Sequence, residues 1–204
     1  MSGNLVGPLF LCSKDASRRL GDTVKKNLFA PCYIVLTCSK SRKLTSSLTE
    51  YWRDNVLAPV IKNKDYLLIS DSWSAQSAVT ILQRLAKRET IRTSQKTTEM
   101  IQPLDVYLNR QYKMIRSKLY EYVRLHCIDI NLAHRNNIIK MNSLIHNQLS
   151  SREFNAMIKY TWYKSGYLTV YPGNFRDVKQ VCFTWNDPSC SVYVHVSQDH
   201  THLL

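Results

Sequence analysis

The run Tyr66-Leu67-Leu68-Ile69, followed at once by Ser70-Asp71-Ser72-Trp73, decides how this chain is expected to fold. A short apolar run bounded by polar residues is typical of a strand buried on both faces, as in a parallel sheet. Active sites in open α/β sheets lie beyond the carboxyl ends of the strands, which is where Asp71 falls. A second acidic motif, Ile101-Gln102-Pro103-Leu104-Asp105-Val106, opens a long basic amphipathic stretch. Two carboxylates at one sheet edge would supply oxygen ligands for a hard divalent cation.

Each aspartate also has a purely structural interpretation. Asp71 can be a turn residue or the cap of the helix that follows the strand. Asp105 can lie in a first helical turn behind Pro103, where a carboxylate favours the helix dipole by roughly 0.3–1 kcal/mol. The residue types and their spacing leave both interpretations open.

The two acidic motifs are similar to those of a known enzyme family. Leu67–Gln76 and Gln102–Lys113 resemble two acidic signatures of pogo-like DDE transposases. Thr37–Thr45 and Arg135–Asn142 also resemble arthropod-type members, so the similarity covers most of residues 4–175. The resemblance implies an α/β fold with a ribonuclease-H-like mixed sheet flanked by helices and a C-terminal helical extension.

The resemblance also implies a site and its chemistry. Asp71 and Asp105 match the second and third metal-binding, catalytic aspartates, which makes Mg²⁺ or Mn²⁺ the expected cofactor. DDE enzymes cut and join DNA with two metal ions roughly 4 Å apart, and three carboxylates are needed to hold both. The family's first aspartate ends a strand upstream of every matched segment. We therefore expect an N-terminally truncated catalytic domain that also lacks the preceding helix-turn-helix region and binds metal weakly.

Four interpretations of function follow. The main expectation is a transposase-derived endonuclease domain that binds nucleic acid but whose strand cleavage and transfer are incomplete. The alternatives are an active nuclease completed by Asp15 or by another chain, a domesticated DNA- or protein-binding module without catalysis, and a decayed fragment without function. Asp15 and Asp22 themselves are expected to be solvated loop residues. The expected partners are DNA and a second copy of the chain, with no small-molecule substrate.

The net charge supports a polyanionic partner. Lys and Arg outnumber Asp and Glu by 28 to 15, giving a formal charge of +13. Such an excess favours nucleic acid through counterion release and electrostatic steering, although a basic protein without that role is the alternative. We expect phosphate contacts from basic residues of the turn after the second strand and of the helix after Asp105: Lys40, Arg42, Lys43, Arg110, Lys113 and Arg124. Related sequences usually have Gly where this chain has Arg42.

The remaining bulk features indicate the class of protein. No apolar run is long enough for a membrane span, and no signal peptide is recognisable, so neither a membrane partner nor secretion is expected. Six scattered cysteines in a chain of 204 residues indicate reduced thiols and, with the transposase resemblance, a nuclear protein. The tail has candidate zinc ligands whose spacing matches no finger, so frayed or edge-strand structure is expected instead: Cys182, Cys190, His195, His200 and His202.

The pattern of apolar residues predicts the strands and helices and divides the chain into three segments. Strands are predicted over Leu5–Cys12, Tyr33–Thr37 and Tyr66–Ile69, and around Glu89–Arg92. Lys14 to Lys26 is predicted to be a loop. Helices are predicted from a capping box at Ser47 to Pro59, after Asp71, from Leu108 onward, over Asn131–Gln148 and over Arg152–Trp162. The strand–helix–strand order that ends at Asp71 implies a crossover unit in a parallel sheet. The apolar positions of the last three helices, expected to be buried, are Leu108, Tyr112, Ile115, Leu119 and Tyr122, then Ile138, Met141 and Ile145, then Phe154, Met157, Ile158 and Trp162. The predicted segments are residues 1–128, a truncated ribonuclease-H-like DDE catalytic domain; residues 129–175, a helical extension; and residues 176–204, a Cys/His-containing tail.

Overall fold

The computed structural model describes residues 2–17, 19–41, 43–62, 66, 68–70, 90–92 and 102–183. Within these residues the protein is mixed α/β, which confirms the predicted class. The strands are β1 (Leu9–Lys14), β2 (Ile34–Ser39), β3 (Leu68–Ser70) and β4 (Thr90–Arg92). The helices are α1 (Asp22–Lys26), α2 (Ser46–Trp52), α3 (Ala58–Ile61), α4 (Asn109–Leu125), α5 (Arg135–Leu149), α6 (Asn155–Lys164) and α7 (Val178–Cys182). Short irregular helices cover Arg53–Leu57 and Leu104–Leu108, which are π-helical, and Arg152–Phe154, a 3₁₀ turn.

The strands form two parallel ladders. β1 pairs with β2 in a register that runs from Leu9 opposite Ile34 to Lys14 opposite Ser39. β3 pairs with β4, with Leu68 opposite Thr90. Parallel pairing was predicted, but the expected β2–β3 neighbours are not paired in the described part of the chain. The helix predicted after Asp71 lies outside the described residues.

The N-terminal segment departs from the prediction in two places. β1 begins at Leu9 rather than at Leu5, because Pro8 has no N–H for the ladder and follows Gly7, whose φ is +82°. The first ladder contact is the Leu9 N–H, which donates to the Tyr33 carbonyl at 2.9 Å. The region predicted to be a loop up to Lys26 contains the short helix α1.

The helix after β2 starts earlier and runs further than predicted. Its N-cap is Thr45, whose side chain accepts a hydrogen bond from the Leu48 N–H, so the predicted capping box at Ser47 is wrong. Pro59 does not end the helix but lies in the first turn of α3. The preceding π-helical turn, in which the Ala58 N–H donates to the Arg53 carbonyl, widens the backbone before the proline ring. A proline in a first helical turn removes no internal hydrogen bond.

The main core lies among α4, α5, α6 and α7. Its buried members are Leu108, Ile115, Met141, Ile145, Leu149, Phe154, Met157, Ile158 and Val178. Most of these positions were predicted from the helical periodicity of the sequence. The core draws on helices from both sides of the predicted boundary at residue 128, and α7 replaces the frayed structure that was expected just after Arg176. A buried hydrogen bond from the Val178 N–H to Gln111 Oε1, 3.3 Å long, ties α7 to α4.

Two predicted core positions are exposed. Tyr122, placed on the buried stripe of α4 by its spacing, is exposed, and its ring lies against that of His126, with 4.3 Å between the ring centroids. Ile138 of α5 is exposed, whereas its neighbour Ile139 is buried. α5 contacts both α4 and β1, so it has two buried sides where the sequence pattern indicated one.

Polar contacts join α5 to the segment between α1 and β2. Asn136 accepts a hydrogen bond from the Phe29 N–H at 3.0 Å and donates to the Asn27 carbonyl at 2.8 Å. Further along α5, the Ser143 hydroxyl lies 2.7 Å from the Tyr33 hydroxyl. The β1–β2 unit is therefore positioned on the helical part by directional bonds as well as by apolar contact.

Candidate nucleic-acid interface

Asp105 lies in the first turn of the π-helical segment, directly behind the buried Pro103. Its backbone N–H donates to the Gln102 carbonyl at 3.1 Å, and its carboxylate accepts from Asn109 Nδ2 at 2.6 Å. The carboxylate is exposed to solvent. One accepted hydrogen bond leaves further lone pairs of Asp105 directed at solvent, as a metal ligand requires.

Asp71, the partner predicted for Asp105, lies outside the described residues, and so does Arg42. In the ranges that the structure describes, no cluster of three or more Asp, Glu, His or Cys side chains is placed to hold a metal ion. Asp105 fits the role of one oxygen ligand. The predicted pairing of Asp71 with Asp105 stays a prediction.

Asp15 lies in a loop as predicted, but its side chain is only 22% exposed. It follows the last residue of β1, and its N–H donates to the Ser39 carbonyl at the end of β2. Its carboxylate accepts from the Ser17 hydroxyl at 2.6 Å and pairs with the Arg135 guanidinium at 3.3 Å. These contacts, the Ser17 hydrogen bond foremost, lower the pKa of the Asp15 carboxyl. Asp22 is exposed as predicted and pairs with Lys25 at 3.7 Å.

We expect the Asp15→Asn substitution to destabilise the protein at neutral pH and much less at acid pH. A carboxyl whose pKa is lowered by folding stabilises the native state above its usual pKa, and this contribution is lost as the pH falls through the pKa of the folded state. Urea unfolding at about pH 7 and about pH 3 measures the change. Asp22→Asn is the matched control, because Asp22 is highly exposed and its pair with Lys25 is long and solvated. Equal destabilisation by Asp15→Asn at both pH values would contradict the role of the charge.

A cationic stripe runs along the exposed side of α4. Arg110, Lys113 and Arg124 are exposed, as predicted from the helical spacing. Among the described residues, one ion pair lies on this helix. It joins Lys118 to Glu121 at 2.7 Å and lowers the pKa of the Glu121 carboxyl. The three cations of the stripe therefore remain available to an anionic partner, and the first lies five positions after Asp105.

Residues not predicted as contacts extend this stripe. Arg116 projects between Lys113 and Tyr120, with its guanidinium carbon 5.7 Å from the centre of the Tyr120 ring. A cation placed over an aromatic face is a recurrent surface for nucleotides as well as a stabilising contact. Continuing the three-residue spacing of Arg110 and Lys113 to Arg116 would have identified it.

The second predicted group of cations is partly described. Lys40 follows β2 directly, and Lys43 lies before the N-cap of α2; both are exposed. The Lys43 carbonyl accepts from the Ser39 hydroxyl at 3.3 Å, which closes the turn after the strand. The turn thus presents two lysines beside the carboxyl ends of β1 and β2.

The described cysteines are free thiols. Cys182 ends α7 and packs against the main core, and this burial raises the pKa of its thiol. The other candidate zinc ligands of the tail, Cys190, His195, His200 and His202, lie outside the described residues.

Comparison with protein-family models, with curated proteins and with solved structures gives no significant match. In the described part of the chain, no helix is both long and apolar enough to cross a membrane. The resemblance to DDE transposases therefore stays a prediction from the sequence motifs.

Proposed function

We propose that this chain is a nucleic-acid-binding domain derived from a pogo-like DDE transposase, with a ribonuclease-H-like fold and DNA as its partner. The observation that carries the proposal is the exposed cationic stripe of α4, which starts one and a half turns after the exposed carboxylate of Asp105. Phosphate-binding side chains beside a metal-binding carboxylate are what strand cleavage requires. A DNA partner implies the nucleus as the place of action, and assembly as a homodimer belongs to the same proposal.

The chain's own residues have defined roles in this proposal. Arg110, Lys113 and Arg124 bind phosphates and orient the backbone. Asp105 supplies oxygen ligands for Mg²⁺ or Mn²⁺ together with Asp71. The hydrogen bond from Asn109 Nδ2 fixes the Asp105 carboxylate so that its free oxygen keeps one direction. When bound, the metal would activate water and stabilise the leaving oxygen of the cleaved strand.

One arrangement favours a version of the domain that binds DNA without cutting it. Two-metal chemistry needs a third carboxylate, and Asp15 is the residue considered for that role. Its carboxylate is already held by Ser17 and Arg135. Recruiting it to a metal would break both contacts, so the non-catalytic domesticated module is the second candidate function.

Metal-dependent cleavage distinguishes the two candidates. Supercoiled plasmid is incubated in Mn²⁺ with the wild-type protein and with its Asp71→Ala and Asp105→Ala variants. The catalytic version predicts nicking that each substitution reduces by at least about a hundredfold, since removing a metal ligand removes the Lewis acid. Asp22→Ala is the control and should cleave like the wild type. Absence of nicking by all four proteins, with plasmid still retained in low salt, identifies the non-catalytic module; absence of retention as well contradicts DNA binding.

A further inference from the structure

Five aromatic rings from three segments form a contiguous cluster next to the Asp105 turn. Tyr107 lies on the π-helical segment, two rings lie on α6 and two on the chain after it. The tyrosine cluster consists of Tyr107, Tyr160, Tyr163, Tyr171 and Phe175. The centroid of the Tyr160 ring lies 5.4 Å from that of Tyr107 and 4.9 Å from that of Phe175, and Tyr163 and Tyr171 are 5.4 Å apart.

The outer part of this cluster faces solvent. Tyr171 is 50% exposed, and the preceding Val170 is exposed as well. Tyr160 and Tyr163 are half-buried. Buried tyrosines usually find a hydrogen-bond partner for the phenol. In the described residues, the hydroxyls of these three tyrosines have no protein partner, which is typical of an open surface rather than of a closed core.

Positive charge lies beside two of the rings. At roughly 100° per residue, Lys159 and Lys164 lie on the same side of α6 as Tyr160 and Tyr163. The nearby carboxylates are engaged: Asp177 caps α7 through the Gln180 N–H at 2.9 Å, and Glu153 pairs with Arg176.

We propose that the tyrosine cluster, with Lys159 and Lys164 beside it, binds single-stranded DNA by stacking unpaired bases on its exposed rings. Aromatic side chains in a cationic surface are the recurrent means of holding a single strand without sequence preference, because every base has a π face and every linkage a phosphate. The inference rests on the proposed function. It assigns the α4 stripe to duplex phosphates and the adjacent tyrosine cluster to the strand separated from the duplex.

The test compares two substitutions at the most exposed ring. Tyr171→Leu keeps an apolar side chain but removes the aromatic face, whereas Tyr171→Phe keeps the face. The probes are a fluorescent oligothymidylate strand and a duplex of equal length. Tyr171→Leu is expected to weaken single-strand binding about five- to tenfold, while Tyr171→Phe stays within about twofold of the wild type. Duplex binding should be the same for all three proteins.

Each outcome has a separate meaning. Equal single-strand affinities for the three proteins overturn the stacking site while leaving duplex binding intact. Failure of the wild type to bind either probe overturns the proposed function itself. If Tyr171→Leu loses duplex binding too, the substitution has disturbed more than the stacking site, and photocrosslinking of the wild-type protein is the deciding measurement. Photocrosslinking to a strand that carries 5-iododeoxyuridine should label the tryptic peptides 160–164 or 165–176, and labels confined to other peptides contradict the proposal.

Discussion

Replacing Arg110, Lys113 and Arg124 together by glutamine is expected to make duplex DNA binding less dependent on salt, because close to three phosphate contacts are lost. Each contact contributes about 0.9 to the slope of log K against log salt, so the slope should fall by roughly 2.7. Between about 50 and about 200 mM salt, the wild type should then lose about fortyfold more affinity than the triple variant. Titration of a labelled duplex at several salt concentrations gives both slopes.

A control with the same change of net charge separates the stripe from overall charge. Arg19, Lys26 and Arg152 are exposed and lie outside α4. Their joint replacement by glutamine removes three cations and should leave the slope close to that of the wild type. If both triple variants have the same slope, binding depends on net charge alone and α4 is not the interface.

The largest effect on stability is expected from Ile145→Ala. Ile145 is 0% exposed at the centre of the main core, between residues of α4 and α6. Removing its outer carbons loses their transfer free energy and leaves a cavity that rigid helices cannot fill. The free energy of unfolding should therefore fall by about 2–5 kcal/mol. Equilibrium unfolding in urea measures it.

The neighbouring residue supplies the control. Leu144 lies on the same helix but is 42% exposed, so Leu144→Ala should change the free energy of unfolding by less than about 0.5 kcal/mol. Alanine also raises helix propensity at both positions by similar amounts. Equal destabilisation by the two substitutions would mean that the face of α5 assigned to the core is wrong.

Helical periodicity predicted the buried side of the C-terminal part well, because one amphipathic stripe per helix packs into one core. It identified Ile115, Met141 and Met157, all buried. Ile138 was predicted to be buried but is exposed. The periodicity of one helix does not reveal that β1 also contacts α5 and gives it a second buried side. It was also wrong at Tyr122, which is exposed in the last turn of α4 although the apolar spacing continues there.

The candidate site was predictable only in part. For Asp105, a position in the first helical turn behind Pro103 was one of the interpretations left open, and the structure has it there. The role of Asp15 could not be predicted, because its partner Arg135 is 120 residues away in the chain. The tyrosine cluster was missed for the same reason, although the repeated tyrosines between Tyr160 and Tyr171 were a signal in the sequence.

The π-helical turn between Leu104 and Leu108 closes with the Asn109 N–H donating to the Leu104 carbonyl, which takes in one residue more than an α-helical turn. Deleting Val106 would restore ordinary helical geometry and leave α4 seated in the core. Since one residue corresponds to roughly 100° of rotation, the same deletion would turn Asp105 away from its present orientation relative to the arginines and lysine of α4. The length of this turn, and not only its composition, sets the angular phase between the carboxylate and the cations.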